Sequence, residues 1–125
     1  MRDDKTTIQE LKDLVIKFAK DRHWEKHHVP KNLAMGIAIE AAELMEHYQW
    51  EREGDPDPEE VADELADIIF NALNFAYVTN IDVASAFMHK YEKIVKKYPV
   101  DIFNEKNDTL KDYRRIKKQY RQGKK

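Results

Sequence analysis

The chain has no cysteine. That excludes disulfides, zinc–thiolate sites and a cysteine nucleophile, and makes a reducing cytosol the natural compartment. Only three glycines and four prolines occur in 125 residues, and the apolar residues recur at helical rather than alternating spacing. The expected fold is therefore all-α. No apolar run approaches the roughly 20 residues that span a bilayer. Met1-Arg2-Asp3-Asp4-Lys5 leads into an amphipathic segment, not the apolar stretch of a signal peptide. The expectation is a soluble cytoplasmic protein with no membrane partner. At this length it is one domain, small enough for its bundle to be completed by partner copies.

The net charge of −2 hides an asymmetry. Residues 39–67 hold twelve acidic residues against one basic residue, Arg52, whereas residues 105–125 hold nine basic against three acidic. Within the acidic stretch, Glu51, Glu53, Asp55, Asp57 and Glu59 read as a solvated helix end and loop. The basic stretch Lys111–Lys125 reads as a solvated or partly frayed terminal helix. Tyr113 and Tyr120 are too few and too far apart for a stacking platform, so nucleic acid is not the expected partner.

Local signals divide the chain into helices. Thr7 is the expected N-cap of a first helix reaching Arg22, with Ile8, Leu11, Leu14, Val15 and Phe18 as its buried stripe. A loop covers residues 23–32, and Pro30 or Asn32 opens a second helix running to about Arg52. Gly54 ends it. Asp57 then caps a third helix, with Pro58 at its first position and Glu60 completing a capping box. That helix extends to about Val78 and is closed by Asn80. Asp82 caps a fourth helix, Val83–Lys97, which Pro99 stops.

Two carboxylate pairs stand out, Glu40 with Glu43 and Glu64 with Asp67. Residues three apart share a helix face, so each pair forms a two-carboxylate claw. A lone pair of this kind is ordinarily solvated or salt-bridged. Here Leu33, Gly36, Ile37, Leu44 and His47 share the face of the first pair, and Glu60, Asn71 and Asn74 extend the second as a polar stripe between apolar walls. Several carboxylates gathered in such surroundings must protonate or gain cations, and hard oxygen ligands select Mg²⁺ or Mn²⁺. Glu40, Glu43, Glu64 and Asp67 are the expected metal ligands.

Glu40-Ala-Ala-Glu43, twenty intervening residues and Glu64-Leu-Ala-Asp67 match an E-x-x-E, spacer, E-x-x-D signature. Around it stand Asp21-Arg-His-Trp24-Glu-Lys-His-His28-Val-Pro30-Lys31-Asn32-Leu33, Tyr48-Gln49-Trp50 and Lys97-Tyr98-Pro99. Together these resemble the MazG-type all-α nucleoside triphosphate pyrophosphohydrolases, in their dCTP pyrophosphatase-like branch, from the first helix to the Tyr98-Pro99 turn. The resemblance implies a four-helix MazG-like bundle in a homodimer or homotetramer. It implies cleavage of a (deoxy)nucleoside triphosphate to monophosphate and pyrophosphate, with Mg²⁺ on the four acids and Trp24, His28 and Trp50 lining the nucleotide pocket. Residues 1–107 would form the pyrophosphohydrolase domain and 108–125 the basic helix or tail. Two positions depart from the branch. Ile94 replaces an asparagine that helps read the base, and Asn71 replaces a frequent tyrosine.

Attack by water on a triphosphate requires its negative charge to be neutralised and the water acidified. Lys31, Lys90 and Lys97 are candidates to contact phosphate oxygens, and Asn71 and Tyr98 join the substrate-binding set. Glu43 and Glu46 compete as general base. Competing readings are a dUTPase-like or phosphoribosyl-ATP pyrophosphatase-like enzyme with different pockets, and a non-enzymatic binding module using the basic tail. A carboxylate-bridged di-iron bundle fails, because it needs Glu-x-x-His pairs and His47 lies four, not three, after Glu43.

Overall fold

The computed structural model describes residues 1–50, 54–107 and 109–123. Five α-helices form, with no strand among the described residues: α1 Ile8–Asp21, α2 Pro30–Gln49, α3 Pro58–Val78, α4 Val83–Lys97 and α5 Leu110–Arg121. The chain divides into two compact units, Met1–Val83 and Ala84–Lys125. They differ in charge. Residues 1–83 carry nine Lys and Arg against nineteen Asp and Glu, and residues 84–125 carry thirteen against five.

Capping chemistry sets the helix starts. The Thr7 side chain accepts from the Glu10 amide while Glu10 reaches back to the Thr7 amide, so two orphan donors are satisfied at once. The Thr7 backbone N–H, and after it the Thr7 hydroxyl donating to Glu10 Oε2 at 2.9 Å, hold the Glu10 carboxyl below its ordinary pKa. Pro30 and Pro58 occupy first-turn positions of α2 and α3, where the missing N–H costs nothing. Asp57 caps α3 by accepting from the Glu59 amide at 2.9 Å. The expected capping box with Glu60 does not form: Glu60 turns instead toward His47 on α2. Asn80, in the left-handed region at φ 56°, follows the end of α3 as its sequence suggests.

Three further details refine the expected elements. The loop before α2 contains a 3-10 turn, Glu25–His27, and of the two expected starts of α2 it is Pro30 that opens the helix. α2 ends at Gln49, with Trp50 extended beyond it; Glu51, Arg52 and Glu53, which were expected to continue and solvate that end, lie outside the described residues. The basic helix α5 is not simply solvated. Within the second unit Ile116 is buried, and Tyr113 stacks on Tyr98 with ring centroids 5.5 Å apart.

In the first unit α3 is central, packed along α2 and against α1. Val15 and Ala19 from α1, Leu33 from α2, and Leu73 and Ala76 from α3 are its buried apolar residues. Phe18 joins α1 to α3 edge-on to Phe70 at 5.4 Å and continues to Trp24 at 5.5 Å. α2 and α3 run antiparallel in a defined register. His47 lies beside Glu60 and Glu64 at one end, Gly36 meets Asn71 further along, and His28 reaches Asn74 at the other end. Gly36 matters to this register. A Cβ there would stand 2.9 Å from Asn71 Oδ1, so the residue's smallness lets that amide lie against α2.

Candidate metal centre

The two carboxylate stripes meet between α2 and α3. One carboxylate oxygen from each of Glu40, Glu43 and Glu64 falls within 4.8 Å of the others. Glu40 and Glu64 are half-buried and Glu43 is exposed. Asp67 stands outside this closest group, yet its charge still acts on Glu40. The Glu40 carboxyl is pushed above its ordinary pKa, first by its hydrogen bond to Glu43, then by loss of solvent, then by the charges of Glu43, Asp67 and Glu64. Carboxylates gathered this closely repel one another and favour a cation among them. Among the described residues no lysine or arginine forms an ion pair with any of the four acids.

A histidine lies against these acids. His47, with its side chain 14 % exposed, places Nε2 3.6 Å from Glu64 and Nδ1 3.9 Å from Glu60. Glu43, Glu46, His47, Glu60, Asp63 and Glu64 line a cavity of about 410 Å³. Glu46 is exposed on this wall, so both general-base candidates face the same space. The helical stripes alone put His47 with Glu43 and Glu60 with Glu64. The cross-helix contact of His47 depends on the register of α2 against α3, which no single-helix periodicity carries.

At the other end of the same register are amides and aromatics. Asn71 donates through Nδ2 to the Asp67 carbonyl at 3.0 Å, which ties it to the turn carrying the fourth acid. Asn74 is buried and holds His28. Trp24, half-exposed, packs edge-on against His28 with centroids 6.4 Å apart. Lys31 is exposed in the first turn of α2, and Trp50 is 69 % exposed just past its end. Thus Trp24 and His28 adjoin each other, and Trp50 stands twenty helical residues away along α2.

Lys90, Lys97 and Tyr98 belong to the second unit. Lys97 Nζ lies over the rings of Tyr120 at 4.5 Å and Tyr98 at 5.2 Å. Lys90, Lys93, Ile94, Lys96, Lys97 and Tyr120 line a basic depression of about 390 Å³ there. Tyr98 also meets Phe103 edge-on at 5.2 Å.

An antiparallel helix pair carrying E-x-x-E opposite E-x-x-D places the chain among all-helical proteins with an acidic cluster between two helices. Residues 35–114 match the MazG-like family, and the chain belongs to it. It is 28 % identical over 104 residues to dCTP pyrophosphatase 1 of Homo sapiens, covering 77 % of this chain and 61 % of that protein. It is 29 % identical to the Bos taurus protein over the same length, covering 62 % of it. The chain thus spans about three fifths of these curated relatives. A crystal structure of a pyrophosphatase from Archaeoglobus fulgidus superposes with a TM-score of 0.66 at 37 % identity, over 79 % of this chain and 98 % of that one.

Proposed function

We propose that this protein hydrolyses (deoxy)nucleoside triphosphates to the monophosphate and pyrophosphate, with Mg²⁺ as its natural cation, Mn²⁺ as a substitute, and dCTP as the preferred substrate. The observation that carries this reading is the carboxylate cluster of Glu40, Glu43 and Glu64, with Asp67 beside it and the Glu40 carboxyl pushed above its ordinary pKa, first by its hydrogen bond to Glu43. An all-oxygen donor set of this kind fits a hard divalent ion. Glu40, Glu43, Glu64 and Asp67 would hold it. Bound there, such an ion supplies charge neutralisation of the triphosphate and acidification of a water. The relatives' activities, dCTP pyrophosphatase and pyrophosphatase, point the same way.

The chain's own groups then have assignable tasks. Glu43 or Glu46 takes the proton of the attacking water, both facing the same cavity. Trp24 and His28 hold the base, with Asn71 offering a polar group near the acids, and Trp50, at the far end of α2, lines such a pocket only from a partner copy of the chain. Lys31, Lys90 and Lys97 bind phosphate oxygens, with Tyr98 in the substrate-binding set. The catalytic domain is residues 1–107, and the protein works as a homodimer or homotetramer in the cytoplasm. A panel of canonical and modified nucleoside triphosphates with Mg²⁺, scored for monophosphate and pyrophosphate, tests the reading. Pyrophosphate release led by dCTP is expected; release of orthophosphate, or no turnover of any triphosphate, would overturn it.

A further inference from the structure

Asn74 is 3 % exposed, the one polar side chain buried to this degree among the described residues. An amide in that position is costly unless bonded, and an apolar residue would fill the same place in α3 without the cost. Its bond explains its presence. Nδ2 lies 2.9 Å from Nδ1 of His28, a residue 46 positions away, just before Val29 at the N-cap of α2. With the amide N–H donating, Nδ1 must offer its lone pair, so the proton of the neutral imidazole sits on Nε2. The bond therefore fixes both the ring's plane and its polarity.

The position of this pair gives the polarity a use. Asp67, Asn71 and Asn74 lie on one stripe of α3, and the seven residues from Asp67 to Asn74 rise about 10 Å at 1.5 Å per residue. Beyond the acids that would anchor the phosphates come first Asn71, then the Asn74–His28 pair, with the half-exposed Trp24 ring against His28. That spacing suits a nucleotide lying along the helix pair, phosphates on the acids and base at the amide end.

Resting on the pyrophosphohydrolase reading, we infer that Asn74 is a positioning residue for substrate selection: it locks His28 as an Nε2–H donor that reads an exocyclic carbonyl of the base. Cytosine presents such a carbonyl, and adenine has none. The contact therefore favours dCTP over dATP, and Asn74 acts on this preference only through His28.

The test compares wild type, Asn74→Leu, His28→Ala and the double variant in Mg²⁺-dependent hydrolysis of dCTP and dATP. Asn74→Leu should raise KM for dCTP and shrink the dCTP:dATP ratio of kcat/KM by about tenfold, leaving kcat for dCTP nearly unchanged. His28→Ala should shrink the dCTP:dATP ratio at least as far, and adding Asn74→Leu to it should change the ratio no further; additive losses would assign Asn74 a merely structural role. Imidazole nitrogen NMR of the substrate-free wild type should show an unprotonated Nδ1 and a protonated Nε2 at His28. The opposite tautomer overturns the inference, as does a dCTP:dATP ratio that survives His28→Ala, a result still available if Asn74→Leu fails to fold. If instead the tautomer is as expected but wild type releases pyrophosphate from no triphosphate, the functional reading fails, not the Asn74–His28 lock.

Discussion

A carboxylate three residues from another is commonplace, and what separates Glu40 and Glu43 from the many solvated pairs of this chain is their company. Leu33, Gly36 and Ile37 on the same face already placed the acids against a neighbour, and across that contact Glu40 and Glu43 meet Glu64 of α3. The amides were less legible. Asn71 and Asn74 read equally well as interhelical hydrogen-bond residues, and nothing in their spacing shows that one bonds its own helix while the other bonds the loop before α2. The acids carry the residue-scale prediction. Glu43→Gln and Asp67→Asn should each lower Mg²⁺-dependent turnover by more than the roughly 10–100-fold that loss of an outer-sphere partner costs. Circular dichroism should remain helical, and the metal-free variants should melt no lower than wild type, because a repelling charge has been removed. Wild-type turnover in both variants at saturating Mg²⁺ would refute the assignment of these ligands.

For whole helices the local code was largely sufficient. Thr7, Pro30, Asp57, Pro58 and Asn80 marked their boundaries because capping is decided within four residues of chain. The code failed where an element's end depends on another element: Glu60 leaves its own cap for His47, and the helix-to-helix register cannot be deduced from either helix alone. Gly36 is where that register is most exposed to test. Replacing a mid-helix glycine by alanine ordinarily stabilises by about 1 kcal/mol. Here the new Cβ would press on Asn71 Oδ1, whose amide is tethered to the Asp67 carbonyl. Urea denaturation should therefore show Gly36→Ala gaining little or losing stability in the wild-type background, and gaining about 1 kcal/mol when Asn71 is already Ala. Equal effects in both backgrounds would mean that the two residues do not meet.

Across the molecule, an all-α fold and its acidic and basic halves were visible in composition, whereas the thinness of the core was not. Six apolar residues are buried among those described, and no large side chain is fully enclosed. Leu11, Leu14, Val15, Ala66, Ile69, Phe70 and Leu73 line an almost wholly apolar groove of about 300 Å³ between α1 and α3. Leu14, Leu65 and Ile69 are about half exposed, and α4 buries none of its residues while Phe87 is 71 % exposed. Apolar surface of this extent is ordinarily covered by association. Light scattering at micromolar concentration should accordingly return a dimer or tetramer mass; a monomer would leave the surface unexplained. Among the described residues no helix is long and apolar enough to cross a membrane.

Whether the two facing carboxylate pairs form one divalent-cation site is tested, without any nucleotide, by calorimetric titration of the chelator-treated protein with Mg²⁺ and Mn²⁺. Saturable binding is expected in wild type, lost in Glu40→Gln and in Glu64→Gln, one substitution on each helix, and kept in Glu59→Gln on the exposed first turn of α3. Binding unchanged by removal of Glu40 or Glu64, or no saturable binding in wild type, would contradict it.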